Sequence, residues 1–465
     1  MQKRGDRVFV AAHDLLADNR PRFSYGIAVA DVDGDGRFAF VVTGFGCANR
    51  VLAWQGGSLV DRTPAALRDF EHPSIGLACA DIDGDGHEEI YVLGADTFGG
   101  PKRTADRLFD ATEDGWSDLV DRPENAAVLN RSSGRSVACL DRLGTGRYGF
   151  VVASYGGPFR LYELEADERL ADHAPGAHLD EITGGRSLVV GPIVSTGADV
   201  FAANELGPNF LFRARADGSF REAAEPAGLA DAHQHGRGVA LLDADGDGRL
   251  DLAVGNWEGP HRLFLQTEPG RFVDRAPPEM AEPSRVRTVI AADFDNDGFE
   301  ELFFNNIGEP NRLFGWRDGA WRPLDIGDAE EPDGLGTGAA VADLDGDGQL
   351  ELMVAHGESA PQPLGLYRTG PSDHHWLRVL PRTRFGAPAR GALVTLEAGG
   401  RRQLRVIDGG SGYLCQMEPV AHFGLGGLIG ADRLTVRWPD GASATFDDVA
   451  ADGLLDLAHP QPATA

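Results

Sequence analysis

Gly238-Val-Ala-Leu-Leu-Asp243-Ala-Asp245-Gly-Asp247-Gly-Arg-Leu-Asp251-Leu-Ala-Val-Gly-Asn256 decides the fold, because the chain repeats it. An apolar run enters an Asp/Gly-rich turn and a second apolar run leaves it, which predicts two strands joined by a tight loop. His261-Arg-Leu-Phe-Leu265 and Arg271-Phe-Val-Asp-Arg275 follow as a third and a fourth short strand. Related loops begin at Asp31, Asp81, Asp293 and Asp343, and two degenerate ones at Asp141 and Gly191. The intervals are 50, 60, 50, 52, 50 and 50 residues. Seven four-stranded units at this period predict an all-β, seven-bladed β-propeller over residues 1–370. The seventh unit lacks its own fourth run, and Asp6-Arg-Val-Phe-Val10 resembles the missing copy. The N-terminal strand is therefore expected to close the ring and remove a free sheet edge.

After about Asp373 the period is lost. Trp376–Leu380, Ala392–Leu396, Leu404–Ile407 and Leu434–Trp438 read as strands of a separate small β domain, residues 371–460. The tail, 461–465, is expected to be disordered.

Composition narrows the function. The chain has 465 residues, 62 of them Gly and 27 Pro, and a net charge of −29. Such a charge opposes a nucleic-acid partner and docking on anionic lipid. No run of 18 apolar residues and no signal-type leader is seen, so a soluble, cytoplasmic protein is expected. Cys47, Cys79, Cys139 and Cys415 show no zinc spacing and read as thiols in a reducing compartment.

In D-x-D-G-D-G-x-x-[DE], acids at positions 1, 3, 5 and 9 surround a hard cation, and oxygen-only ligation suits calcium. An EF-hand would need a Glu at position 12, where Val254 stands inside a strand. Four loops are complete: Asp81/Asp83/Asp85/Glu89, Asp243/Asp245/Asp247/Asp251, Asp293/Asp295/Asp297/Glu301 and Asp343/Asp345/Asp347/Glu351. A fifth has Asp31, Asp33 and Asp35, but Ala39 replaces its last acid. Four to five mainly structural Ca2+ ions are expected.

These loops look like the FG-GAP/VCBS repeats of integrin-type propellers. Gly409-Gly-Ser-Gly-Tyr-Leu-Cys-Gln416, His422-Phe-Gly-Leu-Gly426 and Val436-Arg-Trp-Pro-Asp-Gly441 resemble the ASPIC/UnbV domain. The combination is that of the cartilage acidic protein family and its bacterial homologues. It departs from that pattern at Arg390-Gly-Ala-Leu and at Cys415. The resemblance implies the fold and calcium, and much less about chemistry.

Up-and-down connectivity puts the acidic loops, between first and second strands, on one face. The connections between blades, and those between second and third strands, lie on the other. Arg135, Arg186, Arg237 and Arg287 stand near the start of first strands, as does Tyr25, so they should gather at one channel mouth. His233 and His235 precede one of these strands, and Glu205, Asn256, Trp257, His356 and Glu358 occupy connections on the same face. The arginines suit binding of an anion, with Tyr25, Trp257, His233 and Asn256 beside them. His235, His356, Glu358 and Glu205 offer acid–base capacity. No P-loop, Rossmann fingerprint, nucleophile elbow or HExxH pattern occurs, so no nucleotide or redox cofactor is expected.

Two functional classes remain. One is a cofactor-free biosynthetic enzyme, an isomerase, cyclase or lyase, acting on a small anionic molecule. The other is a non-catalytic, calcium-stabilised binding or adhesion module with a protein partner. The unusual channel mouth and the absent disulfide framework favour the first.

Overall fold

A computed structural model describes residues 7–112 and 115–461. Seven four-stranded antiparallel blades form around a channel. Blades 1 to 6 begin with Ser24–Ala30, Ser74–Ala80, Gly134–Leu140, Ile182–Gly191, Gly236–Leu242 and Val286–Ala292. Blade 7 takes Gly336–Ala342, Glu351–His356 and Gly365–Thr369, and its outer strand is Phe9–Ala11 from the other end of the chain. Phe9 pairs with Thr369 and Ala11 with Tyr367, which closes the ring as expected. Phe9 is fully buried and meets the Phe294 ring edge-on at 4.8 Å, so closure also fills a core position of blade 6. Asp6 of the expected strand lies outside the described residues, as does the tail beyond Gln461.

First and second strands are buried on both faces, because each blade packs between two neighbours. They therefore read as continuous apolar runs such as Ile27-Ala-Val29, while the outermost strand Arg271–Asp274 keeps a single buried residue. Helix among the described residues is limited to single turns such as Ala224–Ala227, and none is long and apolar enough to cross a membrane.

The C-terminal residues form one three-stranded and one four-stranded sheet between His375 and Leu457. The four runs read from the sequence are strands there. Ala421–Gly426, Ser443–Ala450 and Gly453–Leu457 are additional. This unit sits on the acidic-loop face. Gly424 donates its amide to Asp293 at 2.9 Å, Arg378 lies 3.0 Å from Asp343, and Arg405 3.2 Å from Glu300.

From this unit the loop 408–418 enters the propeller channel. Cys139 donates its amide to the Gly409 carbonyl, Val239 and Gly412 exchange both amide bonds, and Val29 donates to the Gln416 carbonyl. The Gln416 side chain accepts from the Cys79 amide at 2.8 Å and donates back to its carbonyl at 3.1 Å. Innermost strands present unpaired backbone groups to a channel, and the loop satisfies part of them. Glycine makes the passage possible. A Cβ on Gly26 would stand 2.3 Å from the Leu414 carbonyl, and Gly410 and Gly412 both hold positive φ.

Candidate functional site

The loop ends at the channel mouth opposite the acidic loops, where Tyr413 and Leu414 help to line a cavity of about 580 Å³. Arg135, Arg186, Arg237 and Arg287 line the same cavity with Tyr25, Trp257 and Glu358. The four guanidiniums are buried. Each arginine is the second to fifth residue of a first strand, so the propeller's own symmetry turns them inward.

Glu205 and Glu358 pair with three of these four charges, while Asp96, Glu258 and Arg285 also line the cavity. Glu205 accepts from Arg186, and from Arg237 at 2.6 Å. Glu358 lies 2.7 Å from Arg287. Arg135 has no carboxylate partner among the described residues; it donates to the Phe98 carbonyl and lies over the Phe98 ring. Aromatic faces hold the guanidinium planes: Arg186 stacks 4.4 Å from the Tyr155 centroid and Arg237 4.6 Å from that of Trp257. The crowding of guanidiniums shifts the protonation equilibria of the groups among them. Burial and then Arg186 and Arg287 lower Arg237 to about 10. Burial would raise the Tyr413 phenol, but Arg186, Arg287, Arg135 and Arg237 overcome it and bring Tyr413 down to about 8. Arg186 Nη1 stands 3.5 Å from the Tyr413 hydroxyl.

Several residues expected in the site are elsewhere. His356 ends a second strand pointing between blades, where it meets Glu331 at 3.1 Å and the Pro363 carbonyl at 2.7 Å. It is a buried structural histidine and cannot reach a ligand in the cavity. Asn256 donates to Asp231 and to the Pro260 carbonyl, pinning its own loop. His233 is exposed and does not line the cavity. His235 is also exposed, 2.6 Å from the Glu205 carbonyl, and braces that loop from outside. Glu205 acts from behind the arginines, leaving Glu358 as the expected acid–base residue that lines the cavity. Arg237 is only 5% exposed, so it belongs to the buried wall of the cavity rather than to its rim.

The acidic loops fit a cation on the other face. One carboxylate oxygen from each of Asp81, Asp83 and Asp85 falls within 4.8 Å of the others, and the same holds for Asp31/Asp33/Asp35, Asp243/Asp245/Asp251 and Asp293/Asp295/Asp297. Glu89 Oε1, Asp243 Oδ1 and Asp293 Oδ1 are buried with no hydrogen-bond partner among the described residues. Burial, reinforced by neighbouring acids, pushes Glu89 up to about 10 and Asp81 and Asp251 to about 7. The degenerate blade 4 shows the contrast. Its remaining acid, Asp199, accepts from the Val194, Ser195 and Ala214 amides and the Ser195 hydroxyl, so it has no oxygen to spare.

Residues outside the motif modify these loops. Asp110, on the third strand of blade 2, joins Asp83 and Glu89 as a further carboxylate. In blade 6 Arg317 reaches Asp295, Asp297 and Glu301, and in blade 7 Arg368 reaches Asp345, Asp347 and Glu351. These guanidiniums partly neutralise their loops.

A seven-bladed propeller with DxDGDG loops, plugged by a small β domain, is an FG-GAP-type propeller carrying an ASPIC/UnbV unit. The FG-GAP-like repeat model matches residues 31–92, 197–254, 243–304 and 293–354, and the ASPIC and UnbV model matches 383–464. Cartilage acidic protein 1 of Xenopus tropicalis is 46% identical, aligned over 98% of this chain and 78% of its own. The Homo sapiens protein of that name is also 46% identical, over 95% of this chain and 73% of its own. The chain belongs to the cartilage acidic protein family. A lectin from Burkholderia pseudomallei shares the propeller fold at 16% identity and a TM-score of 0.51, covering 75% of this chain and 99% of the lectin.

Proposed function

We propose that this protein binds a small anionic molecule in the arginine cavity, on a propeller braced by Ca2+ in its acidic loops. The observation that carries the reading is four buried guanidiniums facing one cavity, of which Arg135 has no carboxylate partner among the described residues. An unpaired buried cation is unfavourable, and an anionic ligand relieves it. Cys79, Cys139 and Cys415 are buried free thiols, which suits the cytoplasmic setting we assign. Calorimetry with citrate and pyrophosphate as probes tests the site. Arg237→Ala should lose a charge-assisted hydrogen bond, on the order of 1.5–3 kcal/mol and so roughly tenfold or more in affinity. Retained affinity in that variant would count against the site.

Tyr413 favours a second reading, proton transfer on the bound anion by an isomerase-, cyclase- or lyase-type enzyme. A phenol held at about 8 can exchange a proton near neutral pH. The native chain should show a phenolate absorbance rising near pH 8 that Tyr413→Phe lacks. Its folded value lies below the usual value of about 10. Tyr413 therefore adds stability that is fully present above pH 10 and is lost as pH falls through about 8. Wild type and Tyr413→Phe should differ most in melting temperature at the alkaline end. No absorbance step between pH 7 and 9 would remove this reading.

A further inference from the structure

We propose that the ligand is an amphiphile, with an anionic head on the arginines and an acyl or aryl body along an apolar wall raised by blades 1 to 4. This rests on the anion-site reading and adds the chemistry of the rest of the molecule.

Part of the wall is built by a departure from the repeat. In blades 3 and 4, Gly149–Pro158 and Ile182–Gly191 run for ten residues each, against six or seven in the corresponding strands of blade 5. Their extra length pairs across the blade boundary, Tyr155 with Gly184 and Pro158 with Ile182, and joins the two blades into one sheet. These are the blades that lost their acidic loops.

Large apolar side chains stand in solvent along this side. Ile182 is 72% exposed, Phe98 70%, Leu206 61% and Phe45 38%. Phe45, Phe98 and Leu206 are continuous with the cavity, and Ile182 stands two residues from Gly184 on the same strand. Phe45 and Phe98 line the cavity, Phe98 meets Tyr155 edge-on at 5.3 Å, and Phe45 lies 5.5 Å from Tyr25. Leu206 packs over Gly184, where an added Cβ would come within 3.0 Å of it. Exposed apolar groups collected at one cavity mark a binding surface, whereas single ones carry no meaning. The opposite rim is polar, with Arg285 3.3 Å from Glu258 and 3.6 Å from Glu309. One side of the mouth is therefore mainly apolar, with the Asp96 carboxylate held by the Arg103 and Thr104 amides near Phe98, while the floor is cationic and the other side charge-balanced. A cavity of about 580 Å³ also exceeds what a bare tetrahedral anion fills.

Calorimetry on the full chain with decanoate, acetate and decyltrimethylammonium, all below micelle concentration, tests the proposal. Decanoate should bind at least about tenfold tighter than acetate, since each buried methylene adds to affinity. The ammonium should bind at least about tenfold more weakly than decanoate. Leu206→Ser should weaken decanoate about fivefold while leaving pyrophosphate unchanged, and Phe98→Ser, whose ring also lies over Arg135, should weaken decanoate by a larger factor than pyrophosphate. Pyrophosphate binding without decanoate binding would overturn the amphiphile and leave the anion site standing. Binding of neither would overturn both. Equal binding of decanoate and the ammonium would show adsorption to the rim alone and overturn it. Binding only to phosphatidylserine vesicles, with free decanoate unbound, would make the rim a membrane contact and overturn it as well.

Discussion

Removing divalent cations with excess EDTA should lower the melting temperature by many degrees, and added Ca2+ should restore it. Glu89 Oε1, Asp243 Oδ1 and Asp293 Oδ1 are buried acceptors with no donor among the described residues, in loops whose other acids lie within 4.8 Å. Without a cation such groups repel each other and remain desolvated. A ligand that binds only the folded chain stabilises it by roughly 2.7 kcal/mol per site at a hundredfold excess over Kd. Two strong sites would already remove about 5 kcal/mol, a large part of a typical folding free energy. The loops should not contribute equally. Asp110 adds a carboxylate in blade 2, whereas Arg317 and Arg368 supply positive charge in blades 6 and 7. Asp245→Ala in blade 5 should therefore reproduce part of the EDTA effect, and Asp347→Ala should do less. Differential scanning calorimetry with elemental analysis checks this. An unchanged curve and no bound calcium would remove the metal reading.

The second large effect concerns Arg390. Its side chain is 1% exposed, and it donates to Glu88 at 2.5 Å, to the Val29 carbonyl at 3.0 Å and to the Asp408 carbonyl at 2.8 Å. It joins the acidic-loop region of blade 2, the innermost strand of blade 1 and the root of the threaded loop. Arg390→Ala leaves Glu88 buried and unpaired, which costs about 3–5 kcal/mol. The double variant Glu88→Leu/Arg390→Met should be markedly less destabilised, since no isolated charge remains. Denaturant melts of the two singles and the double close the cycle. Arg390→Ala should also weaken pyrophosphate binding, because the same loop carries Tyr413 to the cavity floor. Normal stability in Arg390→Ala would show that the contact carries no such load.

Arg390 shows where the sequence stops being readable. It looked like a departure from a family motif, and its spacing says nothing of Glu88, 302 residues away. Tyr413 is similar: it stood inside the Gly-Gly-Ser-Gly-Tyr motif, but its role depends on threading the channel of another unit. The histidines failed for the opposite reason. His233, His235 and His356 lie in the right class of connection, but a loop's face does not tell which way a side chain turns.

Blade number, the acidic loops and the inward arginines were legible because each is local and repeated, and closure by the N-terminal strand because that strand copies the fourth run of the repeat. Strand length, turn chemistry and register follow from near neighbours in the chain, and a period of about 50 residues multiplies a weak signal seven times. The plug through the channel, the shared Glu205, the guanidiniums beside the acidic loops of blades 6 and 7 and the apolar wall of blades 1 to 4 are not part of the repeat. They join residues far apart in sequence, where burial and charge are set by what folding brings alongside and no period reports it.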